Sequence, residues 1–346
     1  MLDGAVVGVV GCGNWGSKRV RALSSFPEIG QVVAIDTDHS RAETAASSFP
    51  KTRAFKDLAS ALPHVSALVI ATPPPTHYEL AVTALRHGKH VLVEKPLTES
   101  IHEAVLLIEQ AHRSSCVLMT GHTLLFNPAV RELRHRLSRG SLGRIQSIHA
   151  AQFSRGHSVH GADAMWDLAP HSISVFNHLI GSLPTLATAW NKADCKPTEE
   201  IRVELQYGKA GPSGFIHIAC GSAERARMFT VIGSKKLAVY DDLAGSQLKM
   251  YRRSSMRTFE NVLEYNDYVI VPKIAPAEPL VEELRHFLGA IRDQSVPEIS
   301  GTDGMITVAI MEAIDRSRRG NMKPTTVFYP PVLSCGDRGI VSDERL

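Results

Sequence analysis

A glycine-rich segment near the N-terminus has the spacing of a dinucleotide-binding loop. It reads Gly11-Cys12-Gly13-Asn14-Trp15-Gly16 and follows the apolar run 5–10. In such a loop the first glycine makes the turn, the second lets the backbone approach a pyrophosphate, and the third lets helix and strand pack closely. Asn14 and Trp15 would contact the pyrophosphate through their backbone, or Trp15 would pack against the protein instead. The other interpretation of the whole segment is a tight strand–helix turn that binds no ligand.

An acid at the end of the second predicted strand indicates which dinucleotide would bind. Asp36 lies 20 residues after Gly16, where a carboxylate accepts hydrogen bonds from the adenosine ribose. Because this carboxylate would repel the additional phosphate of NADP, the sequence favours NAD as the cofactor over NADP. Arg41 argues in the other direction, since a nearby arginine can accommodate that phosphate.

Two further polar residues have the spacing for proton transfer. Asp167 and His171 are four residues apart, so a helix would place both side chains on one face. The reference pKa of histidine is near neutrality, so His171 can accept a proton in a reaction at neutral pH. The alternative is a surface acid–histidine pair without a chemical role.

A group of histidines in the middle of the chain raises the question of a metal site. These residues are His157, His160, His171 and His178. Their spacing matches no standard zinc set, and hydride transfer to a nicotinamide needs no metal. The sequence therefore predicts no metal centre.

The elements that must position these residues begin with an alternation of strands and helices. Helix starts are marked by Ser/Thr-x-x-Glu patterns at Ser40, Thr76 and Ser100, which are typical of capping boxes. Apolar strands are predicted at 5–10, 31–35, 67–71, 90–93 and 117–120. Strands joined by single helices form a parallel, doubly wound sheet, so the expected fold class is α/β.

The pattern changes after residue 121. Helices are predicted at 128–138, 166–180, 280–293 and 303–318, and a run of short strands between 186 and 271 predicts a mostly antiparallel sheet. We therefore expect a dinucleotide-binding domain at 1–122, a substrate-binding and oligomerisation domain at 123–330, and a peripheral tail at 331–346.

Several segments, in their order along the chain, resemble the Gfo/Idh/MocA family of oxidoreductases. They are Thr72-Pro73-Pro74-Pro75-Thr76-His77, Glu94-Lys95-Pro96, Gly121-His122-Thr123, Phe126-Asn127-Pro128 and Trp166-Asp167-Leu168-Ala169-Pro170-His171. The last segment, with Trp15-Gly16, is most similar to the subgroup that contains nucleotide-sugar 3-dehydrogenases. The stretch 155–161 and Lys18 depart from that subgroup, and both bear on what is bound.

The resemblance implies a Rossmann domain followed by an α/β domain with a large open, mainly antiparallel sheet. It implies an NAD-dependent enzyme that transfers hydride between the nicotinamide and a carbinol or ketone carbon of a sugar or nucleotide-sugar, with oxidation at C3 as one candidate. It also implies assembly as a homodimer or homotetramer, and an uncovered sheet face makes such assembly physically reasonable.

The resemblance also implies site residues. Lys95 would donate a hydrogen bond to the substrate oxygen, and Asp167 would hold that oxygen or the neighbouring catalytic side chains. Either Lys95 or His171 would carry the proton. The residues expected along the cofactor are Thr72, Pro73, His77, Glu94 and Lys95, and those expected near the substrate are His122, Asn127 and Trp166. For His122 and Asn127 the alternative is loop and capping structure.

Composition excludes several other classes of protein. The net charge of +3 is small and dispersed, which argues against nucleic-acid binding, and no apolar run has the length of a membrane span. Five scattered cysteines without paired spacing favour a reducing, cytoplasmic setting. Two alternatives remain open: a keto-sugar or imine reductase of a natural-product pathway, and a catalytically silent NAD sensor or regulator. The presence of Lys95 and His171 favours an enzyme.

Overall fold

The structure, a computed structural model, describes residues 4–155, 163–191, 200–252 and 269–331. The chain divides into two compact units. The first contains Met1–Gly121, Glu283–Met305 and Tyr329–Leu346, and the second contains His122–Glu282 and Ile306–Phe328. The sequence predicted a contiguous second domain at 123–330, whereas in the structure the segment Glu283–Met305 belongs to the first unit. The predicted tail from residue 332 lies outside the described residues.

The first unit is built on a parallel sheet. Its strands are β1 (Ala5–Val10), β2 (Ile29–Ile35), β3 (Thr52–Phe55), β4 (Ala67–Ile70), β5 (His90–Glu94) and β6 (Leu118–Gly121). They are arranged in the order β3-β2-β1-β4-β5-β6, and every neighbouring pair is parallel. The order reverses between β1 and β4, and sheets of this kind bind ligands at the carboxyl ends of the strands at such a reversal.

Helices connect these strands and cover the sheet. They are α1 (Asn14–Ser24), α2 (His39–Ser48), α3 (Leu58–Ala61), α4 (His77–Arg86) and α5 (Ile101–Arg113), with 3-10 turns at Leu62–His64 and Pro74–Thr76. The five predicted strands of this unit are confirmed to within two residues at each end, and helices start within one residue of Ser40, Thr76 and Ser100. The prediction missed β3 because this edge strand is short and contains only two adjacent apolar residues, Ala54 and Phe55.

The three predicted capping boxes have different outcomes. The hydroxyl of Ser100 accepts a hydrogen bond from the backbone N–H of Glu103 and caps α5, as predicted. At α2 the cap is Asp38, two residues before the predicted Ser40. At α4 the hydroxyl of Thr76 donates to the carbonyl of Pro73 and does not cap the helix. The start of α2 therefore depends on the acid Asp38, and the start of α4 depends on the proline-containing turn before it.

The second unit is built on a nine-stranded sheet. Its strands are β7 (Ile145–Ser154), β8 (Leu186–Asn191), β9 (Glu200–Gln206), β10 (Ser213–Cys220), β11 (Ala226–Gly233), β12 (Lys236–Asp241), β13 (Leu248–Arg252), β14 (Val269–Ile270) and β15 (Thr325–Thr326). Their order is β14-β13-β12-β11-β7-β10-β9-β8-β15, and only β7 and β10 are parallel neighbours. The predicted mostly antiparallel sheet is confirmed.

Four further helices lie in the described part of the chain: α6 (Pro128–Ser138), α7 (Ala164–Ile180), α8 (Pro279–Arg292) and α9 (Gly301–Arg319), with a 3-10 turn at Thr123–Phe126. Helix α7 packs on one face of the nine-stranded sheet. A Cβ added at Gly214 of β10 would lie 2.6 Å from the ring of Phe176, and Gln152 of β7 donates a hydrogen bond to the hydroxyl of Ser172. No helix in the described ranges is long and apolar enough to cross a membrane.

The segment Glu283–Met305 covers strand β6, which forms one edge of the parallel sheet. Met119 of β6 forms an isolated antiparallel bridge with Ser300, and the hydroxyl of Thr120 donates to the Ser300 carbonyl. A Cβ at Gly304 would lie 2.2 Å from the Thr120 hydroxyl, so the segment packs closely against β6. Covering an edge strand in this way satisfies backbone groups that would otherwise face solvent.

Candidate functional site

The glycine loop has the geometry that its spacing predicts. Gly11 has a φ of +89°, and a Cβ there would lie 2.8 Å from the carbonyl oxygen of Ala71. A Cβ at Gly16 would lie only 1.6 Å from the Gly11 carbonyl oxygen, whereas one at Gly13 would meet nothing within 4 Å. Two of the glycines are therefore required by the fold itself, and Gly13 leaves open space beside the loop.

The start of α1 is suited to an anion. Gly13 is its N-cap residue, no side chain caps this end, and the first turn contains no acid. The backbone N–H groups of a helix N-terminus lack intrahelical partners and carry partial positive charge. The open space at Gly13 and this uncapped end fit the pyrophosphate of NAD.

Asp36 follows β2 and is joined directly to the loop. Its carboxylate accepts hydrogen bonds from the backbone N–H of Cys12 at 2.7 Å and from that of Asp38 at 2.9 Å. Arg41, which the sequence placed near a possible NADP phosphate, lies 3.3 Å from the carboxylate of Asp38. The arrangement leaves the Asp36 oxygens with further acceptor capacity for a ribose hydroxyl.

Two other residues of the loop are now placed. The Cys12 thiol is buried, and burial together with the charge of Asp36 raises its pKa to about 12, so it remains a neutral thiol. The Trp15 ring is 44% exposed, with the Lys18 ammonium 4.6 Å from the ring centroid. Trp15 therefore does not pack into the core, and Asn14 beside it is exposed as well.

His77 connects two loops and has no exposed surface. Its Nε2 lies 2.9 Å from the carbonyl oxygen of Thr72, and its Nδ1 lies 2.8 Å from that of Pro96. Burial lowers the pKa of His77, although these two carbonyl contacts act in the opposite direction. A direct contact of this ring with the cofactor ribose, which the sequence led us to expect, does not fit a fully buried side chain. The ring instead positions the loops after β4 and β5.

The loop after β4 carries the other predicted cofactor residues. The Thr76 hydroxyl donates a hydrogen bond to the Thr72 hydroxyl at 2.7 Å, and the carbonyl of Pro73 accepts from the Thr76 backbone at 3.0 Å. Thr72 and Pro73 therefore stand at the carboxyl end of β4 in a fixed turn, beside the Cβ position of Gly11.

Glu94, the last residue of β5, belongs to a buried ion cluster. One carboxylate oxygen accepts from Nε of Arg19 at 3.0 Å and from its Nη2 at 2.5 Å. The Nη1 of Arg19 donates to Glu283 of α8. Sequence reasoning missed Arg19 and Glu283. The available signal was an arginine three residues after Gly16, on the helix face that must contact the sheet.

Lys95 follows Glu94 and is half-buried, and its peptide bond to Pro96 is cis. It lies in the first unit, at the carboxyl end of β5 and next to the turn that His77 holds. Asp167 and His171 lie in the second unit, both on helix α7, whereas Lys95 belongs to the first unit.

Asp167 and His171 occupy the first two turns of α7, and both are half-buried. Asp163 is the N-cap residue of this helix, and its carboxylate accepts from the backbone N–H of Met165 at 2.9 Å. Arg318 of α9 donates to the same carboxylate at 2.8 Å. The start of the helix that carries both residues is thus tied to α9.

Trp166 contributes to the same attachment. Its indole N–H donates a 2.9 Å hydrogen bond to the carboxylate of Asp315 on α9. The sequence placed Trp166 near the substrate, and the structure gives its polar atom a partner within the protein. Asp315 and Arg318 carried no sequence signal, because nothing in the pattern of α9 relates them to residues 150 positions earlier.

His122 and Asn127 are both buried, and Asn127 has the capping role that was its alternative interpretation. His122 is 1% exposed and its Nε2 lies 3.4 Å from the hydroxyl of Thr307. Asn127 is 4% exposed, caps α6 through the backbone N–H of Ala129, and donates to the Tyr240 hydroxyl. Both side chains are enclosed by protein atoms, so the expected substrate contacts do not fit these two residues.

No group of three or more metal-binding side chains occurs among the residues that the structure describes. His157 and His160 lie outside the described residues.

Comparison with known proteins agrees with the geometry of both units. Residues 6–122 match an oxidoreductase family described as having an NAD-binding Rossmann fold, and residues 134–327 match the C-terminal alpha/beta domain of the same Gfo/Idh/MocA group.

Individual relatives cover nearly the whole chain. It is 30% identical over 342 residues to inositol 2-dehydrogenase 2 of Saccharopolyspora erythraea, covering 94% of this chain and 97% of the relative. It is 26% identical over 285 residues to UDP-N-acetylglucosamine 3-dehydrogenase of Acidithiobacillus ferrooxidans, covering 82% and 88%. A solved structure of that enzyme superposes with a TM-score of 0.80 at 23% identity, covering 92% of this chain and 98% of that one. The chain belongs to the Gfo/Idh/MocA oxidoreductases and has their NAD-binding Rossmann domain and C-terminal α/β domain.

Proposed function

We propose that this protein transfers a hydride between NAD and a carbinol or ketone carbon of a cyclic polyhydroxylated substrate, a sugar or a cyclitol. The observations that carry the proposal are the half-buried pair Asp167 and His171 on one face of α7 in the second unit, and the fully formed NAD-binding loop of the first unit. Oxidation of a carbinol needs a group that accepts the hydroxyl proton, and an acid–histidine pair can provide it. A protein that only senses NAD does not need such a group.

The residues that would hold NAD are those of the glycine loop, with Asp36 on the adenosine ribose and Thr72 and Pro73 after β4. When bound, the nicotinamide supplies the acceptor or donor for the hydride. Asp36 disfavours the additional phosphate of NADP by charge repulsion, and Asp38 competes for Arg41.

The proposed catalytic residues are Lys95, Asp167 and His171. His171 or Lys95 accepts the hydroxyl proton during oxidation and returns it during reduction. Lys95 donates a hydrogen bond to the substrate oxygen and stabilises the negative charge that develops there. Asp167 orients the oxygen or its neighbouring side chains, and Trp166 bonded to Asp315 keeps the helix start in register.

The names of two relatives suggest two candidate classes of substrate. One relative is named for inositol and another for a UDP-linked amino sugar. Both names describe a ring with several hydroxyl groups, and a free cyclitol or sugar is the first candidate for this chain. A nucleotide-sugar oxidised at C3 is the second candidate, since the solved enzyme of that type covers nearly all of this chain.

We also propose that the chain assembles as a homodimer or homotetramer through the face of the nine-stranded sheet opposite α7. That face carries half-exposed aromatic residues, including Phe215, whose ring stacks on His149 at 4.9 Å, and Phe153, whose ring meets His217 edge-on at 4.9 Å. Half-exposed aromatic side chains are typical of interfaces. A reducing, cytoplasmic setting stays a prediction from the scattered cysteines.

A substrate panel tests the proposal. The protein is offered free inositols, free sugars, and UDP-, dTDP- and GDP-sugars with NAD or NADP, plus a carbonyl acceptor that would recycle tightly held cofactor. Turnover of at least one hydroxylated ring supports the proposal. Turnover of keto-sugars or imines alone, or none with NAD bound, would favour the reductase or the sensor.

A further inference from the structure

The charged cluster of Arg19, Glu94 and Glu283 joins the two segments of the first unit that the proposed function uses. Arg19 lies on α1, directly after the glycine loop, and Glu94 lies next to Lys95 at the end of β5. Glu283 approaches from α8. The cluster is therefore built from three elements that are distant in sequence.

Arg19 is fully buried, which is unusual for a side chain that always carries charge. Burial alone would lower its pKa, but the charges of Glu283 and Glu94 more than offset this effect and raise it. The guanidinium thus remains a cation in the protein interior. It directs one edge, through Nε and Nη2, at a single oxygen of Glu94.

The end of strand β6 lies close to Arg19 and Glu94 and limits their movement. A Cβ added at Gly121, the last residue of β6, would lie 3.2 Å from the second carboxylate oxygen of Glu94 and 3.3 Å from Nη2 of Arg19. Glycine at this position lets β6 approach closely. Glu94 is consequently held by Arg19 on one side and by the end of β6 on the other.

We propose that Arg19 is a positioning residue for the reaction: by binding Glu94 it fixes the backbone that carries Lys95 relative to the glycine loop. This inference rests on the proposed role of Lys95. Glu94, which the sequence placed near the nicotinamide ribose, then acts through Arg19 and does not contact the cofactor. Glu283 neutralises the remaining donor of Arg19 and stands outside the strand that carries Lys95.

The test compares Arg19→Lys and Glu94→Gln with Glu109→Gln as the matched control, since Glu109 makes the same kind of ion pair, with Arg113 on α5, outside the cluster. Turnover is measured with the panel substrate that the unmodified protein uses best, and NAD affinity is measured by titration calorimetry. We expect Arg19→Lys and Glu94→Gln to lower kcat by about tenfold to a hundredfold with little change in the Kd for NAD, because a small misplacement of a reacting group has effects of this size. Glu109→Gln should keep kcat within about twofold.

A readout that needs no turnover separates this inference from the proposed function. Amide hydrogen exchange of the 90–100 segment should become faster in Arg19→Lys and Glu94→Gln than in Glu109→Gln. If the unmodified protein turns over no substrate but this exchange pattern holds, the proposed function fails and the positioning of the segment stands. Equal effects of all three variants on kcat and exchange, or a tenfold weaker NAD affinity in Glu94→Gln, would overturn the inference.

Discussion

The backbone N–H of Cys12 donates a 2.7 Å hydrogen bond to the carboxylate of Asp36, so the glycine loop and the acid after β2 fix each other's position. A carboxylate oxygen can accept more than one hydrogen bond. Asp36 is therefore able to hold the loop and a ribose hydroxyl together, and its substitution should affect both.

Replacing Asp36 by serine removes the charge and the bond to Cys12. We expect the Kd for NAD to rise by about tenfold, which corresponds to the loss of about one charged hydrogen bond, and the preference for NAD over NADP to shrink. Calorimetric titration with each dinucleotide measures both quantities. Asp57→Ser, which removes a carboxylate at the start of α3 but leaves a serine hydroxyl able to cap that helix, is the control and should leave the ratio unchanged. An unchanged ratio in Asp36→Ser would contradict the assignment.

Alanine at Gly16 and at Gly13 should separate folding from cofactor binding. At Gly16 the added Cβ would lie 1.6 Å from a backbone oxygen, so we expect a loss of at least about 2 kcal/mol in the free energy of unfolding. At Gly13 it would meet nothing in the protein, so stability should persist while NAD binding weakens. Thermal melts with and without NAD check both. Normal NAD binding by Gly13→Ala would place the pyrophosphate elsewhere.

His77 should make stability depend on pH. Its pKa is lowered from 6.5 by burial, so between that value and the lower folded pKa the unfolded chain binds more protons. The contribution of the neutral ring is present above pH 6.5 and is lost as the pH falls. The free energy of unfolding should therefore fall less steeply below pH 6.5 in His77→Gln. His90 and His149 shift in the same direction and remain in both proteins. Identical slopes would contradict this account.

The attachment of α7 to α9 can be tested with two arginines on one helix. Arg318 bonds the mostly buried Asp163, and we expect Arg318→Met to cost about 2 kcal/mol of unfolding free energy and to reduce kcat. Arg316 pairs with Glu312 and donates to the Thr326 carbonyl, both at the surface, so Arg316→Met should cost under about 1 kcal/mol. Chemical denaturation measures the difference. Equal costs would mean that the ion pair with Asp163 does not hold α7.

The open sheet face gives a prediction about assembly. Light scattering after size exclusion should show more than one chain for the unmodified protein. Phe215→Arg places a charge among the outward aromatic rings and should shift the mass towards a single chain, while Lys209→Glu in the exposed turn after β9 should not. A clean monomer for the unmodified protein would remove the proposed interface.

The sequence was sufficient for elements whose signal is local. The apolar run of β1, the glycine loop and the cap at Ser100 each depend on neighbouring residues, and each is found as predicted. The short strands β3 and β15 were missed because an edge strand of two to four residues needs no apolar pattern of its own.

The site was harder to predict, because residue type does not reveal burial. His77, His122 and Asn127 have polar side chains suited to ligands, yet long-range packing encloses all three. Arg19, Glu283, Asp315 and Arg318 were missed for the same reason, since their partners lie far away in sequence. Only the tertiary structure separates residues that would contact a ligand from residues that hold them in place.

The most direct test of the central claim is the turnover of the substrate panel by the unmodified protein, Lys95→Ala and His171→Ala, with NAD affinity measured on the same samples. The account predicts NAD-dependent oxidation of at least one cyclitol, sugar or nucleotide-sugar, and loss of that turnover in both variants while NAD binding persists. Near-normal turnover in either variant, or no turnover by an unmodified protein that binds NAD, would contradict it.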